Sequence, residues 1–145
     1  MTLIAWLFCF PASNRNTPPD VQSLNKVSGI DVWYMAAVIE SEARGEPCEC
    51  QVLVGEVLQN RAKRQKKTIA ESALIGFKRK SPTSKSIEIG IKVLTSMPNH
   101  KLFYFFNPDL STDKGWLKKV SNRKKIRCGG HLFFGRMKAK SEKSK

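Results

Sequence analysis

Two glutamates carry the first chemical signal in this chain. Glu42 and Glu46 stand in the stretch Glu42-Ala43-Arg44-Gly45-Glu46-Pro47, directly after an apolar run. Met35, Val38, Ile39 and Glu42 recur at helical spacing, so Glu42 continues the apolar stripe of a predicted helix. A carboxyl in that position is poorly hydrated when ionised, which is the condition for a general acid near neutral pH. The competing reading is a carboxylate near a helix end, paired with Arg44 or Arg61, because structural ion pairs also perturb carboxylates.

The elements that must position these residues follow from periodicity. Asp31 is a plausible N-cap for a helix over 31–44, which Gly45-Glu46-Pro47 ends. A second helix is expected over 49–63, with Leu53, Val54, Val57 and Leu58 as its stripe. A short third helix fits 68–75, and 76–80 reads as a basic loop. Ser81-Pro82 opens a further helix with proline at its first position, and its stripe is Ile87, Gly90, Ile91 and Leu94. Met97-Pro98-Asn99 stops it. The character then changes, with aromatic-rich strands predicted over 102–106 and 131–134, the second preceded by Gly129-Gly130. Helices first and a small strand pair after them make an α+β class, mainly helical.

Length allows one domain with a modest core among 145 residues. An apolar leader is read over 1–13, a Pro- and Asn-rich linker over 14–29, the folded domain over 30–136, and a basic disordered tail over 137–145. The apolar run at 3–10 is too short to span a bilayer and resembles the core of a secretory signal, although no Lys or Arg precedes it. The chain carries 26 Lys and Arg against 12 Asp and Glu, a net charge of +14. Such a surface is drawn to polyanions, and charge alone does not choose among nucleic acid, anionic lipid and bacterial wall. The four cysteines, Cys9, Cys48, Cys50 and Cys128, are too few and too irregular for a disulfide framework, so free or partly buried thiols are expected. Two sharper readings stand beside this: Cys48 or Cys50 paired with Cys128 after export, or a zinc site from Cys48, Cys50, Cys128 and His131.

The stretch Glu42-Ala43-Arg44-Gly45-Glu46-Pro47, then Gln51, an apolar helix and Asn60-Arg61, resembles the SleB/CwlJ-type cell-wall hydrolases of spore-cortex lysis and phages. The later elements, residues 103–108, Trp116, and Gly130-His131 with Phe133, resemble that family's closing motifs in the same order. The chain departs from the pattern at Cys50, where a glycine is usual. It departs again at Gly76-Phe77-Lys78-Arg79, which replaces a Gln-Phe-Ser-like element. The resemblance implies a lysozyme-like fold whose catalytic residue, here Glu42, ends a helix beside a groove. It implies cleavage of peptidoglycan between N-acetylmuramic acid and N-acetylglucosamine, by a single-Glu lytic transglycosylase or a muramidase, without a cofactor and without a metal. A two-carboxylate hydrolase needs a partner carboxyl at one of two set separations; Glu46 and Glu49 are the nearest in sequence.

Substrate contacts are assigned to Glu46, Gln51, Tyr104 and His131. Each has a plainer role open to it: Glu46 bracing the motif, Gln51 and Asn60 satisfying backbone groups, Tyr104 and Phe106 filling core, His131 ending a strand. Arg44 and Arg61 are read as braces for carboxylates or helix ends. Expected partners are peptidoglycan and anionic wall polymers, with no nucleic acid, no stable membrane span and a monomeric state. The place of action is the cell wall or periplasm after export, or the cytoplasm until lysis for a phage-encoded chain. A nucleic-acid-binding basic module, with stacking aromatics at 103–106, and a noncatalytic wall-binding relative remain as alternatives.

Overall fold

The computed structural model describes residues 26–111, 115, 118 and 125–135. The leader over 1–13, the basic tail over 137–145, most of the linker, Trp116 and Cys9 lie outside the described residues.

Helix α1 (Gly29–Ala43) is the core of the domain. Five successive residues, Met35, Ala36, Ala37, Val38 and Ile39, are buried, so the helix is covered on every side through its middle rather than along one stripe. Helices α2 (Cys48–Gln65), α3 (Ile69–Ala73) and α4 (Ser84–Thr95) pack around it. The stripe expected on α2 is the buried one: Leu53, Val54, Val57 and Leu58 all face the core.

Two helix starts differ from expectation. Ser28, not Asp31, caps α1, its Oγ accepting from the N–H groups of Ile30 and Asp31 at 3.2 and 3.3 Å. Asp31 lies within the first turn and accepts instead from Ala70 N–H at 2.9 Å, tying α1 to α3. Thr83, not Ser81, caps α4, and a reciprocal bond from Ser86 completes a capping box. Pro82 therefore precedes the helix.

The buried face of α4 is Ser86, Ile89, Gly90 and Val93, one position round from the expected stripe. Close backbone approach explains the rotation. A side chain at Gly90 would come within 3.4 Å of the Ala36 backbone nitrogen, and one at Gly55 within 3.0 Å of Val93. The two glycines let α1, α2 and α4 meet at short range.

Strands β1 (Leu102–Phe106), β2 (Lys125–Cys128) and β3 (His131–Gly135) form an antiparallel sheet in the order β1-β3-β2. The expected pair is β1 with β3, in the register Tyr104 to Phe134 and Phe106 to Leu132. Strand β2 was not anticipated, because its alternation is short and its exposed positions are the charged Lys125 and Arg127. It joins β3 through the two-residue turn Gly129-Gly130. Phe133 is fully buried in the core, and Phe134 stacks on Phe106 with ring centroids 5.9 Å apart.

Cys50 on α2 and Cys128 at the end of β2 form a disulfide across 78 residues of chain, with Cα atoms 5.4 Å apart. Cys48 is also disulfide-bonded. The expectation of free thiols is thus corrected, and of the pairings left open, Cys50 with Cys128 is the one formed. The zinc reading falls for the same reason, since both sulfurs are committed to each other. Closing so long a loop removes conformational freedom from the unfolded chain, worth up to about 4.5 kcal/mol on the chain-entropy model. The double variant Cys50→Ala, Cys128→Ala is expected to unfold at a clearly lower urea concentration than the parent. An unchanged midpoint would show that the link carries no stability.

Candidate active-site cleft

A cleft of about 520 Å³ opens where the end of α1, the loop before α4 and the sheet meet. Glu42, Glu46, Tyr104 and His131 line it together. Gln51 does not. It is buried, and its Nε2 donates to the Glu46 carbonyl at 2.8 Å, so its work is to hold the turn between α1 and α2. A second groove of about 500 Å³ lies between α2, α4 and the loop before β1, and none of those five residues lines it.

Glu42 occupies the last turn of α1 and is half-buried. Its Oε1 accepts the backbone N–H of Lys78 at 2.8 Å. Among the described residues its Oε2 has no hydrogen-bond partner. The loop that supplies this N–H is the basic stretch over 76–80. Gly76 takes a left-handed conformation (φ +77°), Phe77 turns into the core, and Lys80 N–H bonds the Ala37 carbonyl at 3.1 Å. The loop therefore belongs to the cleft wall.

Glu46 sits in the turn after α1, where its own N–H bonds the Ala43 carbonyl at 3.1 Å. Its Oε1 accepts the N–H of Gly130 at 3.0 Å and lies 3.5 Å from His131 Nδ1. The carboxylate packs so closely on the Gly129-Gly130 turn that a side chain at Gly129 would overlap its Oε2. His131 is buried, edge-on to Phe105 at 5.5 Å. Asn107 lies beside the same turn: a side chain at Gly130 would come within 2.9 Å of its Nδ2.

The arginines divide. Arg44 braces a carboxylate as expected, its Nε 2.8 Å from Oε1 of the buried Glu40, whose Oε2 accepts from Thr83 Oγ1 at 2.8 Å. Arg61 does not. Its guanidinium lies 4.6 Å above the Phe77 ring, and among the described residues no carboxylate pairs with it. Burial holds its pKa below the usual arginine value; the Tyr104 phenol works the other way, and Arg64 adds to the lowering. Asn60 takes the plainer role: its Nδ2 donates to the carbonyls of His100 and Leu102 at 2.7 and 3.0 Å, fixing the entry to β1.

Sequence reasoning missed the Lys78 backbone N–H, the Gly129-Gly130 seat for Glu46, and the approach of Asn107. The glycine doublet was visible, but its partner lies 84 residues away in the chain. Gly129 has φ +57° and no room for a side chain, so Gly129→Ala is expected to destabilise the domain by more than about 1 kcal/mol and to displace the Glu46 carboxylate. Urea denaturation measures the first effect. A parent-like midpoint would mean that the seat is not a structural constraint.

No protein-family model matches the chain. A curated spore cortex-lytic enzyme from Oceanobacillus iheyensis is 31% identical over 127 residues, which is 79% of this chain and 45% of that protein. The chain thus spans less than half the length of this relative. The catalytic domain of the germination-specific lytic transglycosylase SleB from Bacillus anthracis superposes with a TM-score of 0.64 at 27% identity, covering 76% of this chain and 98% of that domain. The catalytic domain of the Bacillus cereus SleB protein does so with a TM-score of 0.56 at 28% identity, covering 74% and 91%. In sequence the chain is similar to a spore cortex-lytic enzyme, and in fold and sequence to SleB catalytic domains.

Proposed function

We propose that this domain cleaves the glycan strand of peptidoglycan between N-acetylmuramic acid and N-acetylglucosamine, with Glu42 as its catalytic acid. The observation that carries this reading is the state of the two cleft carboxyls. Glu42 has one oxygen held by Lys78 N–H and the other without a partner among the described residues, whereas Glu46 is seated on the Gly129-Gly130 turn. A fixed carboxyl with one open oxygen suits proton transfer to a bound substrate.

In this mechanism Glu42 protonates the glycosidic oxygen as the bond to the muramic acid anomeric carbon breaks. The resulting carboxylate then takes the proton of the muramic acid C6 hydroxyl. That oxygen attacks the anomeric carbon and leaves a 1,6-anhydro end, and the carboxyl is again protonated. One carboxyl suffices, which fits a cleft whose second glutamate is occupied with bracing. A muramidase would use water in place of the C6 hydroxyl and require a second carboxyl at a set separation. Tyr104 offers a ring face to a sugar, and Glu46 and His131 hold the wall against which the strand lies.

The Cys50–Cys128 disulfide favours action in an oxidising compartment, in keeping with the cell wall or periplasm after export. Among the described residues no helix is long and apolar enough to cross a membrane. The net charge of +14 suits retention on anionic wall polymer.

Glu42→Gln preserves shape and removes the proton. It is expected to lower muropeptide release from purified sacculi by about 10²–10⁴-fold or more, with circular dichroism unchanged. Glu46→Gln is expected to lose less activity and more stability. The assignment is sunk if folded Glu42→Gln releases muropeptides at close to the parent rate, and anhydro ends in the mass spectrum distinguish the two mechanisms. Sedimentation with sacculi should weaken as salt rises, because exposed charges are screened. Retention by DNA far above that by sacculi at matched salt would favour the nucleic-acid reading instead.

A further inference from the structure

We propose that Arg61 is a substrate-binding residue that recognises a carboxylate on the muramic acid substituent of the strand. The inference deepens the functional reading above and rests on it. Three observations carry it. Arg61 is half-buried in the wall of the cleft that holds Glu42, so its charge has lost part of its water. No carboxylate among the described residues pairs with it, and Glu42 and Glu46 are held by the backbone N–H groups of Lys78 and Gly130. Its position is nevertheless fixed, with the guanidinium over the Phe77 ring and an Nη2 that would lie 3.5 Å from any side chain at Gly76.

A partly desolvated cation without a counter-ion is costly when the cleft is empty and is relieved by an anion that enters it. Arginine's planar fork suits a carboxylate in particular. Arg44 and Lys78 line the same cleft and add to its positive field, although Arg44 already has Glu40 as partner. The two sugars of the strand differ in this respect. N-acetylglucosamine carries no ionisable group, while muramic acid bears a 3-O-lactyl carboxyl, free or extended by a peptide that has carboxylates of its own. A carboxylate contact at Arg61 therefore sets which sugar occupies the position next to Glu42, and so which of the two alternating bonds is cut.

The test measures binding in the Glu42→Gln background, where no turnover is needed, and cleavage in the parent. The ligands are purified glycan strands, native or with their carboxyls amidated by carbodiimide. Amidation is expected to weaken binding about tenfold with Arg61 present and to have little effect in Arg61→Gln. Arg61→Lys, which keeps the charge but not the fork, should fall between. In the cleaving parent, Arg61→Gln should raise KM on native strands while kcat changes little. Strands stripped of peptide separate the two sources: discrimination that persists assigns the lactyl carboxylate, and discrimination that vanishes assigns the peptide. The proposal is overturned if Arg61→Gln weakens native and amidated strands equally, or if amidation does not affect the Glu42→Gln protein itself. The second measurement holds even if Arg61→Gln fails to fold. A parent that binds native strands selectively but releases nothing would instead overturn the catalytic reading and leave carboxylate recognition standing.

Discussion

The bond from Gly130 N–H to the Glu46 carboxylate joins parts of the chain 84 residues apart and ties together two walls of the cleft. On one side is the turn between α1 and α2, which directly follows the last helical turn carrying Glu42. On the other is the β2–β3 turn, which carries His131 into the wall. The seat works only with glycine at 129, whose left-handed backbone and missing side chain let the carboxylate lie against the turn. The Cys50–Cys128 disulfide runs beside this bond, from the first turn of α2 to the residue before Gly129. A polar contact gives the direction and a covalent one limits how far the two turns can separate. Gln51 closes the arrangement from below by bonding the Glu46 carbonyl.

A second set of polar contacts does similar work at the other end of the sheet. Glu56 lies one helical turn before the neighbouring Gln59 and Asn60 on α2, and all three reach into the loop that leads to β1. Glu56 accepts from Asn99 N–H at 3.0 Å and contacts His100 Nδ1 at 2.9 Å, Gln59 donates to the Ser96 carbonyl at 3.1 Å, and Asn60 bonds the His100 and Leu102 carbonyls. An irregular segment without its own backbone pairing is satisfied by side chains of one helix. Tyr104 and Phe105 therefore enter the cleft wall from a fixed start, and their placement does not depend on the short sheet alone.

What could be read from the sequence was what local periodicity encodes. The helices, the stripe on α2, the position of Glu42 at the end of an apolar helix and the β1–β3 pair all follow from residues close together in the chain. The features that escaped depend on distant partners. Nothing near Gly129 announces that Glu46 will rest on it, and the Cys50–Cys128 pairing was one of several open possibilities. The rotation of α4 escaped for a related reason: Ile87 and Ile91 make the cleaner stripe, but the backbone contacts at Gly55 and Gly90 bring Ile89 and Val93 inward. Strand β2 was hidden because an edge strand with charged exposed positions has little apolar alternation. Gln51 was misplaced because a motif residue can matter by holding the backbone of its neighbour.

The two glutamates of the motif show why proximity in sequence does not imply a shared role. Both line the cleft and both accept a backbone N–H, yet their surroundings differ. Glu46 rests against the Gly129-Gly130 turn, with His131 beside it. Glu42 is held at one oxygen by a loop whose conformation depends on Gly76 and on the burial of Phe77. That loop is also what lies under Arg61. The segment at 76–79 therefore touches both the proposed proton donor and Arg61, for which no carboxylate partner is found among the described residues. In the proposed reading, the Lys78 end of this loop bears on the aim of the acid, while Phe77 of the same loop is part of the core.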